Sequence, residues 1–262
     1  MVRWKRALVT GASAGIGEAI ARELAARGVD LVLVARRAER LERLRTELTG
    51  VHVEVLPADL ADLADLERVA QRCSSTTEPV DLLVNNAGFG GYGKVWERPF
   101  EEARGQIDVN VTALVRLSHA AATAMVAAGR GGILNVSSVA GNQPGPGSAV
   151  YGATKSFVTS FSEALAVELR GTGVTVTASC PGLTHTEFHD VAGVQTHPAE
   201  EASFLWMDAR SVALDALDAA AKGTVVRVHG WPNRVLAAAS HVSPRVVRRA
   251  AAGRVVSRLR PR

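Results

Sequence analysis

The chain has 262 residues, 47% of them hydrophobic, with 30 Lys and Arg against 26 Asp and Glu and a formal charge of +4. That length fits one α/β domain with a sizeable core, and no apolar run approaches the roughly 18 residues of a membrane span. Cys73 and Cys180 have no metal spacing and read as reduced thiols, which excludes a disulfide scaffold and, with no long apolar segment behind the basic N-terminus, points to a cytoplasmic protein.

Residues 7–10 form a short apolar run that ends in Gly11-Ala12-Ser13-Ala14-Gly15-Ile16-Gly17, and an amphipathic helical pattern follows to about residue 27. Strand, glycine turn and helix in that order let backbone N–H groups approach a pyrophosphate at a helix N-terminus. The second strand, residues 31–35, runs into Arg36 and Arg37, with no acid until Glu39. An acid at that point would take a ribose 2′-hydroxyl, whereas an arginine suits a 2′-phosphate, so Arg36 points to NADP(H) over NAD(H), with Arg37 secondary. A third strand at 51–56 precedes Asp59 and Leu60, and a helix covers 62–73. A fourth strand at 80–84 ends in Asn85-Asn86-Ala87-Gly88, and a glycine-rich loop follows to Gly93.

A long helix is expected over residues 100–128, with the polar Asn110 among Ile107, Val111, Leu114 and Val115. A buried amide there must find partners. A fifth strand at 132–138 ends in Ser137-Ser138, and the next helix, running to about residue 170, carries Tyr151 and Lys155. Four residues apart, these two side chains share a helical face. A neighbouring ammonium favours phenolate and lowers the tyrosine pKa, giving an acid able to exchange a proton nearer neutrality. A sixth strand at 174–179 closes on Cys180-Pro181-Gly182. Residues 183–207 lose periodicity and read as a substrate loop; its histidines, His185, His189 and His197, stand at no metal spacing. A helix at 208–221 and a seventh strand at 224–228 complete the pattern. Apolar strands alternating with helices predict an α/β domain with a mainly parallel sheet covered by helices on both faces.

From residue 230 onward there are eight arginines and no acid, so residues 1–229 carry 22 basic and 26 acidic groups, a net of −4. This basic extension, 230–262, reads as two short helices, one starting at Pro244. A basic tail suits an anionic partner such as a membrane surface or a nucleic acid.

Together these residues resemble the short-chain dehydrogenase/reductase superfamily in its compact single-domain branch, over roughly residues 5–190 and more loosely to the end. The motifs are Thr10-Gly11-x-x-x-Gly15-x-Gly17, Asp59, Asn85-Asn86-Ala87-Gly88, Asn110, Ser138, Tyr151-x-x-x-Lys155 thirteen residues later, and Pro181-Gly182 with Thr184 and Thr186. The resemblance implies a doubly wound Rossmann fold, with a seven-stranded mainly parallel sheet in the order 3-2-1-4-5-6-7 and helices on both faces, and an NADP(H) site drawn from Gly11, Ser13, Ala14, Gly15, Ile16, Gly17, Arg36, Asp59, Leu60, Asn86, Ala87, Gly88, Tyr151, Lys155, Pro181, Gly182, Thr184 and Thr186. It implies Tyr151 as general acid, Ser138 as the donor that positions a carbonyl oxygen, Lys155 as the group that lowers the Tyr151 pKa and holds ribose hydroxyls, and Asn110 as the anchor of a water leading to solvent. No metal is implied. Many NADP-dependent members carry a basic residue in the glycine turn where this chain has Ala14, which shifts phosphate recognition toward Arg36, with Ser13 a candidate helper.

The segment 33–37 and the chain after Trp206 look most like bacterial ketoacyl reductase-like members acting on acyl or other lipophilic ketones. Gln143, Gly145, Phe89, Phe188 and the 183–205 loop are expected to shape that substrate. The family's habit implies a homodimer or homotetramer. Two alternatives stand beside a carbonyl reductase: a non-catalytic dinucleotide-sensing or interaction protein on the same fold, whose mark would be a lost Tyr, Lys or Ser, and a protein whose basic tail binds a membrane or nucleic acid.

Overall fold

A computed structural model describes residues 4–188 and 206–243, with two isolated positions at 246 and 249. Seven strands form one sheet: β1 (Arg6–Thr10), β2 (Asp30–Ala35), β3 (Val53–Pro57), β4 (Leu82–Asn85), β5 (Gly131–Val136), β6 (Val174–Cys180) and β7 (Val226–Val228). Their order is β3-β2-β1-β4-β5-β6-β7, as expected, and every pairing among them is parallel. The sheet contains only right-order crossovers through helices, because parallel neighbours cannot be joined by a tight hairpin.

The strands read as continuous apolar runs because both faces are covered. Successive side chains point to opposite sides. Ala7, Val9, Leu31, Leu33, Leu82 and Val84 enter one core with Ile20, Leu24 and Leu217, whereas Leu8, Val32, Val34 and Leu83 enter the other with Val69, Leu117 and Ala121. The first core packs under α1 (Gly15–Ala26), α2 (Ala38–Glu47) and α7 (Ala209–Ala221). The second packs under α3 (Leu63–Cys73) and α5 (Leu114–Ala128), with α6 (Ala149–Glu168) adding Leu165 and Ala166.

The long helix departs from the sequence expectation in two ways. It is α4 (Phe100–Ile107) and α5 joined by a widened π-turn segment, Asp108–Ala113, and not one regular α-helix. Such single-turn bulges occur often at functional sites, and here Asn110 sits inside it. The helix also has the length and apolarity to cross a membrane, 29 residues with a mean hydropathy of 1.4 in its most apolar stretch, contrary to the expectation that no run came close. Its inner face is core: Leu117, Ala120, Ala121 and Met125 are buried against the sheet and α3.

The tail differs as well. One helix, α8 (Trp231–Val242), begins directly after Gly230 and carries Pro232 in its first turn, where a missing N–H is harmless. The expected helix start at Pro244 and most of the arginine-rich segment lie outside the described residues. A buried chain of polar groups ties this end to the sheet. Ser179 Oγ meets His229 Nε2 at 2.8 Å, His229 Nδ1 meets Asp215 Oδ2 at 2.8 Å, and Arg227 donates twice to the same carboxylate. Burial pushes the His229 pKa down, with Asp215 opposing it. Asn233 Nδ2 then donates to the His229 carbonyl at 2.9 Å, placing α8 against Gly182 at the end of β6.

Candidate active site

A cleft of about 780 Å³ opens along the carboxyl ends of β1, β2, β4, β5 and β6. Strand order reverses between β1 and β4, and sheets of this type leave a crevice at that switch point. One wall is the glycine turn. Gly11 and Gly15 have φ of +65° and +57°, conformations that a side chain resists. The Ala14 residue that starts α1 offers no side-chain cap, so the helix's first N–H groups are left for a ligand in the cleft. That is the donor set an anionic pyrophosphate needs.

Behind the turn, Asn86 acts as a brace. Its Nδ2 donates to the Thr10 carbonyl at 2.9 Å, while the Asn86 and Ala87 N–H groups donate to Thr10 Oγ1 at 3.0 and 2.9 Å. Gly17 also stands behind the cleft: it packs on the Gly11 backbone and the Asn86 amide and does not line the cavity. The other seventeen of the eighteen positions ascribed to cofactor binding, Asn86 among them, line the cavity directly, from Ser13, Ala14 and Ile16 through Arg36, Asp59, Leu60 and Gly88 to Pro181, Gly182, Thr184 and Thr186.

At the far end, β5 and α6 bring Ser138, Tyr151 and Lys155 together. Ser138 caps the turn after β5, its Oγ accepting the Ala140 N–H at 3.1 Å, and its hydroxyl is hydrogen-bonded to the Tyr151 phenol. Lys155 is buried; its Nζ donates to the Val136 carbonyl at 2.8 Å and lies 5.8 Å from the centre of the Tyr151 ring. Burial pushes the Tyr151 pKa up to about 12, with the Ser138 hydrogen bond pulling the other way. Burial drives the Lys155 pKa down to about 8. The expected lowering of the tyrosine pKa by lysine is therefore not what this pocket produces. Removing the phenol from water is the dominant cause, and the lowering contribution comes from Ser138 and not from the ammonium, which is turned toward a carbonyl.

Asn110 does not reach the cleft. Its amide donates to the Phe89 carbonyl and to Thr154 Oγ1, both at 3.0 Å, and accepts the Phe89 N–H at 3.1 Å. It thus clamps the glycine loop after β4. Gly88 is wedged in the same place: a Cβ there would stand 2.9 Å from Asn110 Oδ1 and 3.4 Å from Lys155 Nζ.

The cavity beside Tyr151 is mostly apolar. Phe188 packs on the Tyr151 ring with centroids 5.4 Å apart, and Phe89, Val139, Leu183 and Leu236 complete the wall with the polar Gln143. Gly145, expected to shape it, does not line it. The part of the substrate loop holding His189, His197 and Phe204 lies outside the described residues. Leu236 and Asn233 come from α8, which the sequence reading passed over; Gly230 followed by Pro232 before an unbroken run was the available signal. Arg37 is also more engaged than expected. Its Nε and Nη2 donate to Ser13 Oγ at 3.2 and 3.1 Å, while Nη1 meets Glu187 at 2.9 Å. Arg36 is largely exposed, with Asp59 at 3.9 Å.

Comparison with known proteins gives the class. The short chain dehydrogenase family model matches residues 5–195. The chain is 42% identical over 183 residues to a sulfoacetaldehyde reductase of Chromohalobacter salexigens, covering 69% of this chain and 72% of the relative. It is 40% identical over 186 residues to an NADP-dependent 3-hydroxy acid dehydrogenase of Salmonella typhi, covering 70% and 75%. A short-chain dehydrogenase from Sphingobium yanoikuyae, solved in complex with NADPH, superposes with a TM-score of 0.79 at 39% identity over 85% of this chain and 87% of that one. The protein belongs to the short-chain dehydrogenase/reductase superfamily, whose members are NAD(P)-dependent oxidoreductases.

Proposed function

We propose that the protein is an NADP(H)-dependent oxidoreductase that interconverts a ketone and a secondary alcohol, with a lipophilic substrate and Tyr151 as the general acid/base. The observation that carries this is the meeting of Tyr151, Ser138 and Lys155 at one end of a cleft whose other end is the glycine turn. NADP(H) rather than NAD(H) is supported by Arg36 and Arg37 at the end of β2, by the absence of an acid at position 35, and by the NADPH and NADP named for two of the relatives.

The reduced nicotinamide, when bound, supplies the hydride. The remaining work falls to the chain. Tyr151, with its pKa raised to about 12, is a neutral phenol at physiological pH and holds the proton to be given to the carbonyl oxygen. Ser138 donates to the same oxygen and fixes it against the phenol. Lys155 has two N–H donors beyond the one given to Val136, enough to hold ribose hydroxyls, and its charge steadies the phenolate once the proton has gone. Asn110 holds the loop that carries Gly88, beside Lys155, and a water on its carbonyl would lead the replacement proton inward. Phe89, Val139, Phe188 and Leu236 exclude water and favour an apolar substituent on the ketone. Family habit supports a homodimer or homotetramer, and a cytoplasmic location fits such chemistry.

The test is NADPH oxidation followed with a panel of aliphatic, aryl and β-keto ester substrates. Turnover that improves with apolar chain length is the expected result. Tight NADPH binding without turnover of any ketone or aldehyde would favour a dinucleotide sensor.

A further inference from the structure

The substrate loop carries one charged group into the adenosine end of the cleft. Glu187 directly follows Thr186 and lies between the arginines of the β2–α2 turn: Oε1 accepts from Arg40 Nη1 at 2.7 Å and Oε2 from Arg37 Nη1 at 2.9 Å. Both Glu187 and Arg37 line the cavity, and Arg37 is in turn fixed on Ser13 of the glycine turn. Arg40, and then Arg37, hold the Glu187 carboxyl below its usual range, so it is an anion under all working conditions. Arg36, by contrast, has only a long 3.9 Å contact to Asp59 and is mostly exposed.

The corner therefore contains three guanidiniums, of which two, Arg37 and Arg40, share the single negative charge of Glu187. A 2′-phosphate entering it meets the loosely paired charge of Arg36 and, close by, the negative charge of Glu187. Resting on the NADP(H) assignment above, we infer that Glu187 is a specificity-determining residue: an internal counter-anion that attenuates the preference for a 2′-phosphate over a 2′-hydroxyl. Its charge opposes the 2′-phosphate of NADPH and does not repel NADH there, which carries an uncharged hydroxyl at that position. The same carboxylate, by tying residues 186–188 to the β2–α2 turn, also keeps Phe188 on the Tyr151 ring, so any general loosening of the loop acts on both cofactors alike. The two effects separate in a ratio.

Dissociation constants of NADPH and NADH, measured by calorimetry on the full-length wild type and Glu187→Gln, read that ratio directly. Removing one unit charge near the phosphate is expected to raise Kd(NADH)/Kd(NADPH) about fivefold at about 0.02 M salt. The gain should shrink toward unity at about 0.5 M salt, where the Debye length is only a few ångströms. A ratio that is unchanged or lower in Glu187→Gln overturns the inference, as does equal weakening of both cofactors, which would make the carboxylate a simple clasp. A wild type that binds neither dinucleotide would remove the cofactor assignment and this inference together, whereas tight NADPH binding with an unmoved ratio removes the inference alone.

Discussion

The two ends of the cleft are built on opposite electrostatic plans. At the proton-transfer end, Tyr151 and Lys155 are withdrawn from water, and their properties follow from burial and from fixed carbonyls and hydroxyls. At the phosphate end, Arg37 and Arg40 pair with Glu187 and Arg36 more loosely with Asp59, all of them close to the surface. Burial shifts a pKa by amounts that salt does not touch, whereas exposed pairs are individually weak and screened. In the function proposed above, chemistry is thus placed where the environment is buried, and cofactor choice where single charges can tune it.

The contrast can be broken most directly at the buried end. Tyr151→Phe removes the transferable proton and should lower kcat about 10²- to 10⁴-fold while NADPH affinity stays near normal; steady-state kinetics beside calorimetric binding checks both halves, and wild-type rates would remove the acid assignment. Asn110→Ala leaves the Phe89 N–H and carbonyl without partners and should destabilise the fold by about 1–3 kcal/mol in urea titration. At the exposed end, Arg36→Asp should swing the NADPH/NADH preference about tenfold or more toward NADH, and an unchanged ratio would move phosphate recognition to Arg37. The smallest effect is a pH slope. Lys155 is an ammonium below its pKa of about 8 and loses that charge above it, so ketone reduction should fall as pH rises from 7 to 9, by up to about tenfold. The Tyr151 phenol stays protonated over that range. A flat kcat/KM profile across it would show that the ammonium charge is not needed.

Short-range patterns carried most of the fold and much of the site. The glycine turn, the four-residue spacing of Tyr151 and Lys155, and Ser138 at a strand end are local, and the parallel order of strands follows from their alternation with helices. What escaped depends on distance or on depth. Glu187 lies about 150 positions from Arg37, and nothing in either segment announces the other. Gly17 belongs to a recognisable motif, yet it packs on the Gly11 backbone and holds the turn together. The direction of the Tyr151 shift could not be read from its neighbour in the helix, because it is set by burial, which the sequence does not display at that position. The Trp231–Val242 helix was legible from Gly230 and Pro232 but was obscured by the charge of the segment behind it.

The π-turn at Asp108–Ala113 has one more consequence. A widened turn holds one residue more than an α-helical turn of the same span. Deleting a single residue there would restore an ordinary helix, yet it would rotate everything on one side of the cut by about 100° relative to the other. Asn110 and Gln106 could then no longer face inward while Leu117 and Ala121 kept their places on the sheet. In this stretch the molecule is constrained by count more than by chemistry: many side chains could be exchanged conservatively, but the number of peptide units between the two halves of the helix is fixed by the site they serve.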